Sequence, residues 1–350
     1  MKLSVIICTH NPHLEYLSRT LEALRVQTLP MAEWELVLID NASRSPIAAS
    51  VSLTWHPNGR HVREEVLGLT PARLRGIQET RGQVLVFVDD DGILEPSYLE
   101  TAMRIGVSRP DLGCWGAGCI KPEYEKPPPE WLTAWDEALA IRRLDRDLWA
   151  NIPGMNRSLP VGLGMCVRRT VAVRYSSLCR KDNIRRSLDR SGGSLASCGD
   201  TDIAMLACAL GMGTASFTGL KITHLIPERR TTRQYMSRLI AARAESAVIL
   251  LSLYEGANDG LSIQKLRLLT IKYFLHWIRY VASGSPVHFG LSLAHRKGEL
   301  DGCKRLLQSR QKILIDNLDP GHGKENDNVS HDRHHASADS DTRDLSTADA

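Results

Sequence analysis

The 350-residue chain, with 43% hydrophobic and 24% charged residues, has the make-up of a soluble globular protein, which excludes collagen-like and wholly disordered classes. Its formal charge is +4, but seven acidic against three basic residues from Pro320 to Ala350 leave +8 on the remainder, a balance that suits phosphate-bearing ligands, an anionic membrane face or a plain solvated surface. Eight cysteines lie mostly in apolar runs without a CxxC pair or zinc spacing, and the amino terminus passes from a short apolar run into a polar loop, so buried free thiols in a reducing cytoplasm are expected.

Leu3 to Cys8 is a continuous β-branched run that predicts a buried strand ending at Thr9. Leu14, Leu17, Leu21 and Leu24, spaced three and four apart, predict a helix with one apolar face. A second strand is expected over Glu35 to Ile39, ending in Asp40-Asn41-Ala42-Ser43, and a short one near Val51 to Trp55 before a Pro-Asn-Gly turn. Thr70-Pro71 opens a helix to about Thr80, with Thr70 as its cap, and Val84 to Val88 is a third buried strand. The alternation predicts an α/β fold with a mostly parallel sheet flanked by helices. Such sheets bind ligands at the carboxyl ends of their strands, where Thr9, Asp40 and Asp89 to Asp91 gather.

Past Asp111 the periodicity weakens, and Lys126-Pro127-Pro128-Pro129 with Trp131, Trp135 and Trp149 suggests an irregular segment and a short amphipathic helix. Val161 to Val167 reads as a strand, and Asp189 to Gly199 as a mobile Ser/Gly-rich loop before a helix from Thr201 to Leu210. Helices are predicted over Thr231 to Leu253, Ser262 to Val281 and Leu300 to Leu318. Lys265, Arg267, Lys272, His276 and Arg279 interrupt the middle one, which argues against a membrane span and leaves packing on the body or lying on a membrane surface. The expected organisation is a catalytic domain over 1–228, a helical extension over 229–319 and a disordered tail over 320–350.

Consecutive carboxylates after an apolar strand repel one another, so a bound cation is the natural way to stabilise Asp89-Asp90-Asp91. Asp89 and Asp91 could hold Mg2+ or Mn2+ while diphosphate oxygens fill the remaining positions; a DxD standing alone is a weak signal, most often a solvated acidic turn. The joint pattern is more specific. Val5-Ile6-Ile7-Cys8-Thr9, Leu38-Ile39-Asp40-Asn41-Ala42-Ser43, Gly68-Leu69-Thr70-Pro71-Ala72-Arg73 and Val86-Phe87-Val88-Asp89-Asp90-Asp91 resemble, in order and spacing, the family 2 glycosyltransferases over the first third of the chain.

That resemblance implies a GT-A type nucleotide-diphospho-sugar fold and an inverting transfer from a nucleoside-diphosphate donor, expected as a UDP-sugar, to a hydroxyl of a glycan or glycolipid in polysaccharide or glycolipid assembly. It implies donor contacts at Thr9, Asp40, Arg73, Asp89 and Asp90, with Leu74 standing where the family's arginine is followed by asparagine. Val161 to Arg169 is similar to the family's glycine-bearing strand below the acceptor, and Cys198-Gly199-Asp200-Thr201-Asp202 to its GED segment with Gly199 in place of glutamate. Asp200 is thereby the expected base and Asp202 its reserve, although Asp200 also reads as a helix cap. Asp91 and Asp89 are the expected metal ligands, with His224 as a further one and Arg229 and Arg230 as diphosphate contacts. Specificity is expected to depend on Trp115 and the Trp131 to Trp149 segment. A nucleic-acid partner is not expected; the C-terminal helices are expected to pack on the catalytic domain, with peripheral contact on the inner face of the plasma membrane as the alternative. Two other classes stay open. A nucleotidyltransferase would need a Gly-rich loop after the first strand, where Thr9-His10-Asn11-Pro12 stands, and an inactive nucleotide-sugar-binding scaffold would not need four aspartates together.

Overall fold

The computed structural model describes residues 2–254, 268, 270–275, 278–279 and 287–318. Met1–Leu307 form one compact unit; Gln308–Ala350 form the other, of which residues 308–318 are helical. The tail from Pro320 and most of the segment Ser262 to Val281 lie outside the described residues.

The amino-terminal half is built as its apolar runs dictate. Strands β1 (Leu3–Thr9), β2 (Trp34–Asn41) and β4 (Val84–Val88) are almost entirely buried and pair in parallel, with β1 in the middle. Helix α1 (Leu14–Arg25) buries Leu17, Leu21 and Leu24 but leaves Leu14 half exposed, so the stripe is one residue shorter than its sequence suggests. Each fully buried leucine contributes roughly 1.5–3 kcal/mol. Helix α2 (Leu69–Glu79) starts after Gly68, whose φ of 141° is open to glycine, and Thr70 lies inside the helix with its hydroxyl on a distant carboxylate instead of on the helix end. The strand expected at Val51 to Trp55 forms later, as β3 (Gly59–Glu64), beyond the Pro-Asn-Gly turn. As an edge strand, half-buried and rich in Arg and His, it lacks the apolar signature of an inner strand.

Among the described residues ten strands form one sheet, whose path runs β3-β2-β1-β4 and on through β9 (Met165–Arg168), β6 (Leu112–Tyr124), β10 (Gly213–Ile226) and β5 (Gly92–Leu94). The parallel expectation holds for β1 to β4, but β9 (Met165–Arg168) runs antiparallel between β4 and β6, making the sheet mixed. The strand read over Val161 to Val167 is therefore shorter, its first residues forming a turn through Gly164 at φ 77°. Two long strands arise where periodicity had weakened: β6 (Leu112–Tyr124) and β10 (Gly213–Ile226), parallel to each other. Strand β5 (Gly92–Leu94) closes the edge against β10, and β7 (Arg142–Arg143) and β8 (Leu148–Ala150) cap the sides of β6 and β10.

Helices α3 (Tyr98–Ser108), α4 (Arg169–Lys181), α5 (Asn183–Arg186) and α6 (Gly199–Ala209) complete the layers. Helix α7 (Arg233–Tyr254) buries Met236, Leu239 and Ile240 against Leu132, Leu139 and Ile226, so the helical extension shares a core with the sheet-bearing part. The last described helix, Val287–Leu318, starts well before the expected Leu300. It lies close on α7 because Gly298 and Gly302 carry no side chain: a Cβ at Gly298 would be 2.0 Å from the Ala241 carbonyl oxygen. Among the described residues no helix is long and apolar enough to cross a membrane. All eight cysteines are free thiols.

Candidate active site

Strand ends β1, β2 and β4 open onto a cleft of about 970 Å³, as the sheet's polarity requires. Thr9 and Asp40 are register partners at the ends of β1 and β2, yet their side chains part. The buried Thr9 hydroxyl donates to the Asp90 carboxylate. Asp40 does not reach the cleft: its carboxylate accepts the Ser43 and Ile47 N–H groups, each at 3.1 Å, and the Arg63 guanidinium at 2.8 Å. Asn41 faces the cleft instead, with its amide oxygen accepting the Gly68 N–H at 2.8 Å and its NH2 donating to the Val66 carbonyl at 2.7 Å. This amide fixes the start of α2 relative to β2.

Asp89, Asp90 and Asp91 all line the cleft, and their environments divide them. Burial, and then the charge of Asp91, raises Asp89 above the ordinary carboxylate range. Burial with Asp91 and Asp89 pushes Asp90 up to about 7, against the opposing hydrogen bond from Thr9. Burial would raise Asp91 too, but the Arg230 guanidinium and His224 hold it well below that range. Arg230 donates to Asp91 Oδ2 at 2.8 Å, and His224 Nε2 lies 3.6 Å from the same oxygen. His224 arrives there because β5 and β10 pair antiparallel with Gly92 opposite His224, and the Leu225 N–H donates to the Asp91 carbonyl at 2.8 Å.

The His224 ring is oriented by its Nδ1–H, which donates to the Leu139 carbonyl at 2.9 Å and directs Nε2 toward Asp91 and Arg230. Such a carbonyl-tethered imidazole is the arrangement of metal-ligating histidines. Among the described residues, no group of three or more His, Cys, Asp or Glu side chains forms a ready-made metal cage. Asp91 and His224 thus fit a divalent cation that takes one or two protein ligands and completes its shell from diphosphate oxygens and water.

On the other side of the cleft, Asp200 occupies the first turn of α6, whose cap position is Cys198. Its Oδ2 accepts the Gly162 N–H at 2.7 Å and its Oδ1 the Thr201 N–H at 2.7 Å. Gly162 must be small, since a Cβ there would lie 2.8 Å from Arg73 Nη2 and 3.2 Å from Asp200 Oδ2. Arg73 is buried between the two acidic centres; burial opposes its charge, while Asp189, Asp200 and Asp89 keep it firmly protonated. Asp202 points elsewhere. It is fully buried, bound to Arg185 and to the Tyr254 hydroxyl at 2.7 Å, and does not line the cleft, because the two-residue step from Asp200 along α6 turns the side chain by about 200°, to the opposite face.

Two site features escape the sequence reading. Asp189 receives Arg73 Nη1 at 2.9 Å, the Thr70 hydroxyl at 3.1 Å and the Gly199 N–H at 3.2 Å. A Cβ at Gly199 would come within 2.1 Å of Asp189 Oδ2, so the glycine standing in the glutamate position of the GED-like segment makes room for a carboxylate supplied ten residues earlier. The Asp189 to Gly199 segment is thereby anchored at its first residue, with the Leu69 N–H donating to the Arg190 carbonyl at 2.8 Å and the Ser191 hydroxyl to the Leu67 carbonyl at 3.1 Å. Trp115 does not shape the cleft: it is fully buried beneath Arg168, and Trp131, Trp135 and Trp149 also lie off the lining. The wall is made by residues 136–144 and 155–163.

Comparison with known proteins agrees with this geometry. Residues 4–131 match the family model described as Glycosyl transferase family 2. The chain is 28% identical over 145 residues to a glucosyl-dolichyl phosphate glucuronosyltransferase of Haloferax volcanii, covering 39% of this chain and 46% of that protein. It is 30% identical over 110 residues to the putative glycosyltransferase EpsH of Bacillus subtilis, covering 31% of this chain and 32% of that one. The chain therefore spans less than half the length of these relatives. The mannosyltransferase PcManGT of Pyrobaculum calidifontis, solved with GDP-Man and Mn2+, shares the fold at a TM-score of 0.50 and 19% identity, over 89% of this chain and 80% of that structure. Residues 4–131, which carry the motifs at the ends of β1, β2 and β4, are thus similar to the Glycosyl transferase family 2, on a sheet whose fold is shared with the mannosyltransferase structure.

Proposed function

We propose that the chain is an inverting, metal-assisted glycosyltransferase that moves a sugar from a nucleoside-diphosphate donor to a hydroxyl of a glycan or glycolipid. The observation that carries this reading is the pairing of two acidic centres in one cleft, Asp89 to Asp91 with His224 on one side and Asp200 on the other, with Arg73 buried between them. Asn41, Thr9 and Arg73 line the nucleoside side, Asn41 taking the place that the sequence pattern gives to Asp40. Arg229 and Arg230, on the turn after β10, are the diphosphate contacts.

Asp200 is already oriented by two backbone N–H donors, and a carboxylate has lone pairs to spare for an acceptor hydroxyl. The hydroxyl proton passes to Asp200 as the acceptor oxygen bonds to the anomeric carbon, and the bond from that carbon to the diphosphate breaks with its electron pair on the phosphate oxygen. Arg230 and Arg229 stabilise the charge that appears there. Asp91 and His224 would hold a divalent cation, which when bound would supply Lewis-acid stabilisation of the same leaving group. A peripheral place on the cytoplasmic membrane face is supported by the exposed Leu268, Ile271, Phe274, Leu275 and Ile278 beside Lys272 and Arg279.

The test is a panel of nucleotide sugars. The purified protein should release nucleoside diphosphate from one of them with Mg2+ or Mn2+ and stop in EDTA. Asp200→Asn should lose transfer by about 10²–10⁴-fold without a change in thermal unfolding. Turnover undiminished by EDTA refutes the metal's part, and full transfer by Asp200→Asn removes that residue from the base role.

A further inference from the structure

Five arginines of the cleft, Arg142, Arg157, Arg190, Arg229 and Arg243, form no ion pair among the described residues, and of these Arg157 and Arg243 both act on the charge of Arg142. Arg142 on β7 donates to the Ser216 hydroxyl at 2.9 Å and to the Arg157 carbonyl at 3.4 Å. Arg243 on α7 donates to the Glu137 carbonyl at 2.8 Å. Arg157 belongs to the exposed loop that leads to Gly162, the residue whose N–H holds Asp200. All three line the cleft, and among the described residues none of them forms an ion pair, whereas Arg73, Arg143 and Arg230 in the same cleft each do.

A guanidinium group taken out of water needs a counter-charge or a full set of acceptors, and neutral oxygens satisfy only part of its five N–H donors. Burial pulls Arg142 below its ordinary value; Asp200 and Glu137 support its charge, and Arg157 and Arg243 oppose it. The three cations therefore share a field, beside the candidate base and across the cleft from the acidic triplet.

The geometry points to an oxyanion-binding subsite for the acceptor, in which Arg142, Arg157 and Arg243 grip a phosphate or carboxylate group carried by the molecule whose hydroxyl faces Asp200. The inference rests on the glycosyltransferase reading for the word acceptor alone, since the subsite itself is defined by charge. Planar guanidinium forks suit both oxyanions, which bind bidentately. An acceptor glycan bearing a uronic acid and one bearing a phosphate ester are the two sources of such a group.

The full chain is treated with phenylglyoxal, which modifies arginine, in the presence of inorganic phosphate, glucuronate or methyl glucoside at matched ionic strength. Modification is read at each arginine by peptide mass spectrometry. Phosphate or glucuronate should slow modification of Arg142, Arg157 and Arg243 together, and methyl glucoside should not; the oxyanion that protects at the lower concentration identifies the source. In Arg157→Gln, chosen because Arg157 is exposed and carries little of the fold, protection of Arg243 should need about tenfold more of that anion. Protection confined to Arg190, Arg229 and Arg230, equal protection by methyl glucoside, or unaltered protection in Arg157→Gln overturns the inference. The readout needs no turnover, so a chain that releases no nucleoside diphosphate from any nucleotide sugar would sink the enzymatic reading and leave this one to be decided by the protection pattern.

Discussion

Asp189 is the most informative residue to remove. Its carboxylate and the Arg73 guanidinium are both about 4% exposed, and it accepts from Arg73, Thr70 and Gly199 at once. Asp189→Ala strands a buried charge, a change that costs about 3–5 kcal/mol. That is a large part of the 5–15 kcal/mol typical of a whole domain. Asp189→Asn keeps the shape and an acceptor oxygen but loses the charge, so about 1.5–3 kcal/mol is expected. Removing Arg73 as well should recover part of the loss, because the penalty lies in the unpaired cation.

Urea unfolding at neutral pH measures all four corners of the double-mutant cycle, with a constant denaturant slope as the check that the transition is unchanged. Gly199→Ala belongs to the same experiment: its Cβ would meet Asp189 Oδ2 at 2.1 Å, and overpacking of this kind costs about 1–3 kcal/mol. A loss below about 1 kcal/mol for Asp189→Ala, or strict additivity with Arg73→Ala, refutes the reasoning, because either result means that the two side chains do not depend on each other.

Asp202→Ala should behave unlike Asp200→Asn: it leaves Arg185 buried without its anion, lowering stability by about 3–5 kcal/mol in urea unfolding while the folded fraction keeps its transfer rate. His56, wedged between Trp34 and Trp55 with Nε2 unpartnered, is held by burial at about 4 instead of 6.5. A lowered histidine value means that its contribution is complete above pH 6.5 and is lost as pH falls toward 4, up to about 3 kcal/mol; unfolding series across that window should show the limb in the parent and a flatter one in His56→Phe. Co-sedimentation with vesicles containing anionic lipid should fall several-fold in Ile271→Glu with Phe274→Glu, and unchanged binding would remove the membrane-surface reading.

What the sequence discloses depends on whether neighbours are close in the chain. Strands β1, β2 and β4 are unbroken apolar runs because both their faces are covered, and their ends carry the family pattern. Strand β6 falls where the periodicity weakens past Asp111, and Gly113, Gly116 and Gly118, which interrupt its apolar run, each mark a close approach. A Cβ would come within 2.8 Å of Ala207 at Gly113, of Pro160 at Gly116 and of the Phe217 backbone at Gly118. Strand β10 has its glycine inside an irregularity between Phe217 and Lys221. Asp189 carried no local signal; only the absence of a side chain at Gly199 hinted that something else fills that space. Asp40 and Asp202 illustrate the converse, since motif position gives no sign of Arg63 and Arg185, which bind these carboxylates outside the cleft lining.

The acidic triplet shows most directly how three identical residues become unlike. On an isolated strand end, Asp89, Asp90 and Asp91 would differ only by the side to which they point. The fold instead brings Thr9 to Asp90, and Arg230 with His224 to Asp91, so one carboxylate is held ionised while its two neighbours are pushed toward protonation. The first cation of this site is thus a side chain of the protein, delivered by the register that sets Gly92 opposite His224 and by the turn that follows β10. Under the proposed function, a divalent ion at Asp91 would have to share that carboxylate with Arg230, whose alternative partner would be the diphosphate of the donor. Donor and metal are then expected to bind cooperatively, each relieving the charge that the other brings, because neither alone can replace the Arg230 to Asp91 pair without leaving one buried ion uncompensated.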